Sequence, residues 1–238
     1  AAERPSVRLQ VLSAEELGLS PDPGAARPPA GERRPFLYRH YRALRRLVAP
    51  FLRLGYAVSV EGRENLPDGP VVLVPNHVSY LDPVLVSYAA ARPMRYLMAR
   101  ELYETRGARG LLRSLGVIPI SHKDPKPAIE ESLNRARRSL AAGESVAIFP
   151  EGHLTRDGEL DVFRGGFSRI ARGLGVPVVP VRVDGMWGSA FSRGPGRSWA
   201  KGLLSRLLGR RRRVRVRIGR PLARPEPELA RAAVDALR

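Results

Sequence analysis

Short apolar runs and longer amphipathic segments alternate along the chain from residue 35 to the C-terminus. Buried strands read as continuous apolar runs, whereas helices repeat their apolar residues about every 3.6 positions. The strands predicted in this way are 56–60, 71–74, 96–99, 117–120, 145–149, 176–183 and 213–218. The predicted helices are 81–90, 107–115, 127–142, 165–174 and 226–237. This alternation predicts an α/β fold, with a mostly parallel or mixed sheet flanked by helices.

Residues 1–34 differ from the rest of the chain because they are rich in Pro, Gly and Ala and show little periodicity. The clusters at 21–24 and 27–31 are typical of linkers, and only 7–11 resembles a weak strand. A chain of 238 residues is long enough for one sizeable core. We therefore expect a flexible N-terminal linker at 1–34 and one folded domain at 35–238.

An amphipathic helical segment is predicted at 36–54, as one helix or as two helices divided near Pro50. It combines apolar and aromatic residues with five arginines. Either it packs on the domain with its arginines in solvent, or it lies in a membrane interface with the arginines at lipid phosphates. The segment 199–209, followed by four arginines at 210–213, could lie at an anionic bilayer surface or dock an acidic acyl carrier protein. The alternative is a surface loop followed by a strand whose charged face is solvated.

The charge of the chain is strongly positive, with 41 Lys and Arg against 23 Asp and Glu and a formal net charge of +18. Such an excess attracts nucleic acid, acidic proteins or anionic lipid headgroups. Only 6% of the residues are aromatic, and no motif that reads DNA or RNA is recognisable. A basic membrane-surface or nucleic-acid-binding protein without catalysis is therefore the alternative function, and no nucleic-acid partner is expected.

Several kinds of site are excluded by what the chain lacks. It has no cysteine, which excludes disulfides, thiol nucleophiles and cysteine-ligated zinc. The zinc-binding H-E-x-x-H pattern, the Walker phosphate loop and the G-x-S-x-G nucleophile elbow do not occur. We therefore expect neither a metal nor a cofactor. No apolar window reaches the roughly 18 residues that a membrane-spanning helix needs.

His77 and Asp82 stand where a predicted buried strand gives way to a helix, five positions apart. Histidine accepts protons near neutral pH, and a carboxylate within reach fixes its tautomer and stabilises the imidazolium. The pair is therefore a candidate general base. The alternative is a helix-capping cluster, in which Asn76 or Ser79 caps the helix and Asp82 interacts with its dipole.

A second polar group follows the predicted strand 145–149. Glu151 can accept hydrogen bonds from ligand hydroxyls, Gly152 permits a tight turn, and Arg156 can bind a phosphate with its planar guanidinium. The alternative is an ordinary loop with a solvated charge pair. Together with His77, these residues favour an enzyme that removes a proton from a hydroxyl group of an anionic substrate.

These motifs resemble those of the glycerolipid acyltransferase family, the lysophosphatidic acid acyltransferase-like enzymes. His77 and Asp82 match the family's His-x4-Asp motif, and Phe-Pro-Glu-Gly at 149–152 matches its glutamate–glycine motif. GVIPI at 116–120 and VPVVPV at 176–181 resemble the second and fourth blocks, in family order. The segment 184–189, DGMWGS, resembles domains of bifunctional or transporter-fused proteins that reacylate lysophosphatidylethanolamine.

The resemblance implies that His77 is the general base, that Asp82 orients it, and that Glu151, Gly152 and Arg156 line the site for the glycerol phosphate. Two positions depart from the family pattern. The second block of the family usually ends in arginine, and here His122 followed by Lys123 stands there, so that either is a candidate phosphate contact. His153 replaces a frequent threonine, which bears on the headgroup preference.

The implied reaction is direct transfer of a fatty acyl group to a lysophospholipid acceptor, lysophosphatidylethanolamine or lysophosphatidic acid. The donor is an acyl thioester, either acyl-CoA or an acyl carrier protein, and no covalent acyl-enzyme is required. The further expected partner is an anionic membrane surface. We expect a peripheral, monotopic protein on the cytoplasmic face of the membrane, as a domain of a larger membrane protein if the start at alanine reflects an excised piece.

Overall fold

The computed structural model describes residues 40–193 and 211–238. The expected linker at 1–34 and the basic segment at 199–209 lie outside the described residues, so their predictions are untested. In the described part, α1 spans Tyr41–Gly55 and continues through Pro50. The described part of the N-terminal amphipathic segment is therefore one helix and is not divided near Pro50.

Seven strands form one sheet with the order β1-β7-β6-β2-β5-β3-β4. All neighbouring strands run parallel except β6 and β7, so that β1 and β7 run opposite to the other five. The predicted mixed α/β sheet is confirmed. The strands are β1 Tyr56–Glu61, β2 Val72–Pro75, β3 Met94–Ala99, β4 Ile118–Ile120, β5 Ser145–Ala147, β6 Val178–Asp184 and β7 Arg212–Ile218.

The carboxyl ends of β2 to β6 meet along one side of the sheet, which we call the carboxyl edge. Because β1 is antiparallel to these strands, its amino end, at Tyr56, lies at the same edge, together with the C-terminal end of α1. In open α/β sheets this is the edge at which ligands bind.

The remaining helices of the described residues connect the strands and cover both faces of the sheet. They are α2 Asp82–Ala90, α3 Arg100–Tyr103, α4 Ala108–Ser114, α5 Lys126–Ala141, α6 Gly166–Ala171 and α7 Pro227–Asp235, with a one-turn 3₁₀ helix at Arg63–Asn65. The predicted helix 165–174 is shorter in the structure, because the backbone leaves the helical conformation at Arg172, with a ψ of 125°, and Gly173 follows with a left-handed φ of 72°. The predicted strand 145–149 ends at Ala147, because the next residues enter a turn that Gly152 closes on Phe149.

Two hydrophobic cores lie on opposite faces of the sheet, and β2, together with Val71 just before it, contributes to both. Val71 and Leu73 pack in the core beneath α1 and α2, whereas Val72 and Val74 pack in the core beneath α5, α6 and α7. All four are fully buried, which explains why this strand reads as an uninterrupted apolar run. It is therefore a central, rigid support for the residues that follow it.

Candidate active site

His77 follows β2 at the carboxyl edge, and its ring contacts Asp82 at the start of α2. The distance from Nδ1 of His77 to Oδ2 of Asp82 is 3.0 Å. The side chain of Asp82 is fully buried, while that of His77 keeps 17% of its surface exposed. With Nδ1–H donating to the carboxylate, Nε2 has the free lone pair that a general base needs.

The Asp82 carboxylate also organises the turn that precedes α2. Its Oδ2 accepts the N–H groups of Val78 and Ser79, each at 2.7 Å. Burial raises the pKa of Asp82, and the bonds from His77 and the two N–H groups act in the opposite direction. Its Oδ1 has no hydrogen-bond partner among the described residues. Of the alternatives that the sequence left open, the contact with the imidazole is formed, whereas no side-chain hydrogen bond caps α2 and the Asn76 side chain pairs instead with the backbone of Val183.

Aromatic rings also support the imidazole of His77, by stacking on one of its faces. The Phe149 ring stacks on His77 with centroids 4.0 Å apart and an interplanar angle of 23°. Tyr96 stacks behind Phe149 at 6.2 Å, and its hydroxyl donates to the carbonyl of Pro83, next to Asp82. Desolvation raises the pKa of this buried Tyr96 hydroxyl. The plane of the imidazole is therefore held by packing as well as by the carboxylate.

Glu151 holds the backbone of His77 in the structure. Its Oε1 accepts the His77 N–H at 2.8 Å, and its Oε2 accepts the Asp161 N–H at 3.3 Å. Thr155 completes this clamp, because its N–H donates to the His77 carbonyl at 2.9 Å. Glu151 is only 2% exposed, and burial raises the pKa of its carboxyl. This differs from the expected contact with ligand hydroxyls, because both oxygens already face backbone donors.

The loop after Glu151 carries the other predicted residues of this motif. Gly152 adopts a left-handed φ of 74°, which an L side chain rarely adopts. Arg156 is exposed. The guanidinium of Arg164, which the sequence analysis did not identify, lies beside Gly152. One exposed arginine, Arg164, thus lies against the turn, and a second, Arg156, follows it in the loop.

A second histidine–carboxylate pair lies in the same loop. Nε2 of His153 is 3.1 Å from Oδ2 of Asp161, and its Nδ1 is 3.1 Å from the carbonyl oxygen of Leu154. Because Asp161 also donates its N–H to Glu151, the pair is connected to the clamp around His77. A pairing between residues eight positions apart in a loop has no periodic signal in the sequence.

His122 and Lys123 do not come next to His77. They are exposed in the turn after β4, which Asp124 closes by accepting the Ser121 N–H at 2.9 Å. Three strand spacings separate β4 from β2, which corresponds to about 14 Å. Both residues thus lie at the carboxyl edge, at the end that β4 forms.

Backbone N–H groups near His77 fall into two classes. Every N–H from Asn76 to Asp82 donates within the protein. By contrast, the N–H groups of Glu151, His153 and Leu154 form no hydrogen bond with any described residue. These three N–H groups are therefore free to donate to a ligand. Within residues 40–193 and 211–238, no cluster of His, Asp or Glu is arranged to hold a metal ion.

Comparison with known proteins identifies the family. The chloroplastic 1-acyl-sn-glycerol-3-phosphate acyltransferase of Arabidopsis thaliana is 33% identical over 132 residues, which is 55% of this chain and 36% of that protein. The 1-acyl-sn-glycerol-3-phosphate acyltransferase of Borreliella burgdorferi is 30% identical over 130 residues, 54% of this chain and 52% of that protein. The matched segment thus spans less than two thirds of either relative.

A solved structure shares the fold. The crystal structure of the 1-acyl-sn-glycerophosphate acyltransferase from Thermotoga maritima superposes with a TM-score of 0.60 and 22% identity, covering 84% of this chain and 76% of that one. The family model described as Acyltransferase matches residues 57–184, more than half of the 238 residues, and this range contains His77, Asp82 and the Glu151 clamp. The chain therefore belongs to the acyltransferase family.

Proposed function

We propose that the protein transfers a fatty acyl group from an acyl thioester to the free hydroxyl of a lysophospholipid. The observation that carries this proposal is the His77 imidazole, oriented by a buried carboxylate 3.0 Å away and still partly exposed at the carboxyl edge. The curated relatives are named 1-acyl-sn-glycerol-3-phosphate acyltransferases, which supports lysophosphatidic acid as the acceptor.

In the proposed mechanism, Nε2 of His77 accepts the proton of the acceptor hydroxyl while its oxygen attacks the thioester carbonyl. The tetrahedral intermediate then collapses, the carbon–sulfur bond breaks, and the leaving thiolate takes the proton back from the imidazolium. Asp82 stabilises that imidazolium through Nδ1–H. General-base catalysis of this kind contributes on the order of 10²–10⁴-fold.

We place the donors for the oxyanion in the loop after β5. The N–H groups between Asn76 and Asp82 are all engaged, which excludes them without a rearrangement. The unpaired N–H groups of Glu151, His153 and Leu154 remain, on the loop that is bonded to the His77 backbone. Preorganised backbone donors are the usual means of stabilising such an oxyanion.

The acceptor phosphate would bind near Gly152, where Arg156 and Arg164 present exposed guanidinium groups. His122 and Lys123, about 14 Å from β2 along the edge, are better placed for the headgroup end of a larger acceptor or for the phosphates of the donor. In this proposal Glu151 acts on the substrate through His77 rather than by direct contact.

The membrane is the proposed source of the acceptor. In α1, the side chains of Leu47, Phe51 and Leu54 are 65%, 70% and 72% exposed, on a helix that also carries arginines. This composition suits a helix lying at an anionic lipid surface on the cytoplasmic side. Among the described residues, no helix is both long and apolar enough to span a bilayer.

The experiment that tests this function is a substrate panel. The purified chain is given lysophosphatidic acid or lysophosphatidylethanolamine in vesicles, with acyl-CoA or acyl carrier protein as the donor, and the products are identified by mass spectrometry. We expect acylation of lysophosphatidic acid with at least one donor. Absence of acylation with every combination would contradict the proposal.

A further inference from the structure

Most of the exposed apolar side chains lie in segments that adjoin the carboxyl edge of the sheet. Eight large hydrophobic residues are exposed in the described part, and six of them lie in the C-terminal end of α1 or in the segments that leave the carboxyl edge after β2, β3 and β5. Single exposed apolar residues are ordinary, but a concentration around one edge is typical of an interaction surface. The six residues are Phe51, Leu54, Tyr80, Leu102, Leu111 and Val162.

Two of these residues belong to a hairpin formed by α3 and α4, residues 100–114, directly after β3. Neither helix has a buried residue, and Leu102 and Leu111 are 40% and 55% exposed. A helix that packs on its own domain normally buries one face. The hairpin therefore presents surface that no described part of the chain covers.

The base of the hairpin is fixed to the sheet. Arg100 donates to both carboxylate oxygens of Asp124 at 2.9–3.0 Å, and Glu101 accepts from Ser121 at 3.1 Å. Bidentate pairs of this kind hold a defined geometry. The hairpin therefore projects from the sheet in a fixed orientation beside the site.

The hairpin also carries positive charge. Arg106, Arg109 and Arg113 are exposed, and none of them forms an ion pair with another described residue. Of the acidic residues, Glu104 lies 3.9 Å from Arg100, and Glu101 lies 3.9 Å from Lys123. Three unpaired arginines beside two exposed leucines complement an anionic, partly apolar surface.

We propose that the α3–α4 hairpin is a second membrane contact, in which the leucines enter the interface and the arginines bind lipid phosphates. The C-terminal end of α1 lies on the other side of His77, because β1 and β3 are five strand spacings, about 24 Å, apart with β2 between them. Contacts on both sides of the site match a planar bilayer better than a small carrier protein. The membrane contact itself requires no catalysis, whereas its benefit for turnover rests on the proposed function.

The test compares binding of the full chain to vesicles of equal parts phosphatidylcholine and phosphatidylglycerol. The triple variant Arg106→Gln, Arg109→Gln, Arg113→Gln should lose roughly fivefold in partitioning per arginine, on the order of a hundredfold in total. The matched control removes the same amount of charge at the opposite edge of the sheet. Its vesicle binding should be weaker than that of the parent chain by no more than a few-fold. The control combines Arg172→Gln, Arg220→Gln and Arg224→Gln, three exposed residues.

A second variant, Leu102→Gln with Leu111→Gln, separates insertion from charge and should weaken vesicle binding while leaving thermal unfolding unchanged. Equal losses in the hairpin and control triples would overturn the proposal, and so would unchanged partitioning of either hairpin variant. Loss of binding to acyl carrier protein alone, with normal vesicle binding, would also overturn it. Vesicle binding decides the matter even if no acyl transfer is found, and with a water-soluble short-chain acceptor the hairpin variants should turn over as the parent does.

Discussion

Replacing Glu151 distinguishes a residue that holds His77 from a residue that binds substrate. Glu151→Ala removes the acceptor of two backbone N–H groups, those of His77 and Asp161. An unsatisfied buried donor costs about 1–3 kcal/mol, and this range applies to the His77 N–H, because Asp161 is exposed and its N–H can bond to water. Removing a buried carboxylate relieves some desolvation, which places the expected loss of unfolding free energy near the lower end of this range.

The kinetic effect follows from the position of the imidazole. A displacement of about 1 Å at a reacting group costs on the order of a hundredfold in rate. We therefore expect Glu151→Ala to lower kcat about a hundredfold, with little change in the KM for the acceptor. Glu151→Gln is the matched variant, because it keeps one acceptor oxygen and the same shape, and it should lie between the parent and Glu151→Ala.

The assay measures initial rates over a range of acceptor concentrations, together with thermal unfolding of each variant. A direct contact with the substrate would give another result: the KM would rise at least tenfold, while kcat and the unfolding temperature stayed near those of the parent. That outcome would refute the clamp and restore Glu151 as a ligand of the glycerol phosphate.

Five further variants test other parts of the account. Asp82→Asn should lower kcat severely with little effect on lipid binding. Because burial raises the folded pKa of Asp82, its contribution to stability falls as pH rises from the unfolded pKa through the folded one. Denaturation curves recorded from pH 3 upward should therefore show a smaller fall for the variant than for the parent, the remainder coming from Glu151, whose pKa burial also raises. Phe149→Leu keeps an apolar side chain but removes the ring stacked on His77. It should lower kcat several-fold and change the KM less. An unchanged kcat would mean that packing does not orient the imidazole. Arg156→Gln and Arg164→Gln should each raise the KM for lysophosphatidic acid about tenfold or more, corresponding to a charge-assisted bond of about 1.5–3 kcal/mol, and an unaffected KM would remove that arginine from the phosphate site. Deleting residues 199–208 should weaken vesicle binding, and unchanged partitioning would argue against an interfacial role for this segment.

The features that could be predicted from the sequence are those that depend on local pattern. The apolar runs at β2 and β6 predict buried central strands. The strict alternation in β7 predicts a strand with one buried face, which matches the buried Val214, Val216 and Ile218. The contact of His77 with Asp82 also follows from local spacing, because one turn at the start of α2 brings a carboxylate back to the preceding loop.

The features that could not be predicted depend on contacts between distant segments. Glu151 and His77 are 74 positions apart, and only the pairing of β2 with β5 places the carboxylate under the His77 N–H. The strand order likewise decides that His122 and Lys123 lie several strands from His77, which a linear motif does not reveal. The four-residue α3 is too short to show a helical period.

The central claim is that the imidazole of His77 accepts the proton of the acceptor hydroxyl. The most direct measurement compares single-turnover acyl transfer by the parent and by His77→Ala, on the same vesicles and with the same thioester. We expect the variant to lose on the order of 10²–10⁴-fold in rate while its unfolding temperature and vesicle binding stay those of the parent. Acyl transfer at the parental rate by the folded variant would contradict the account.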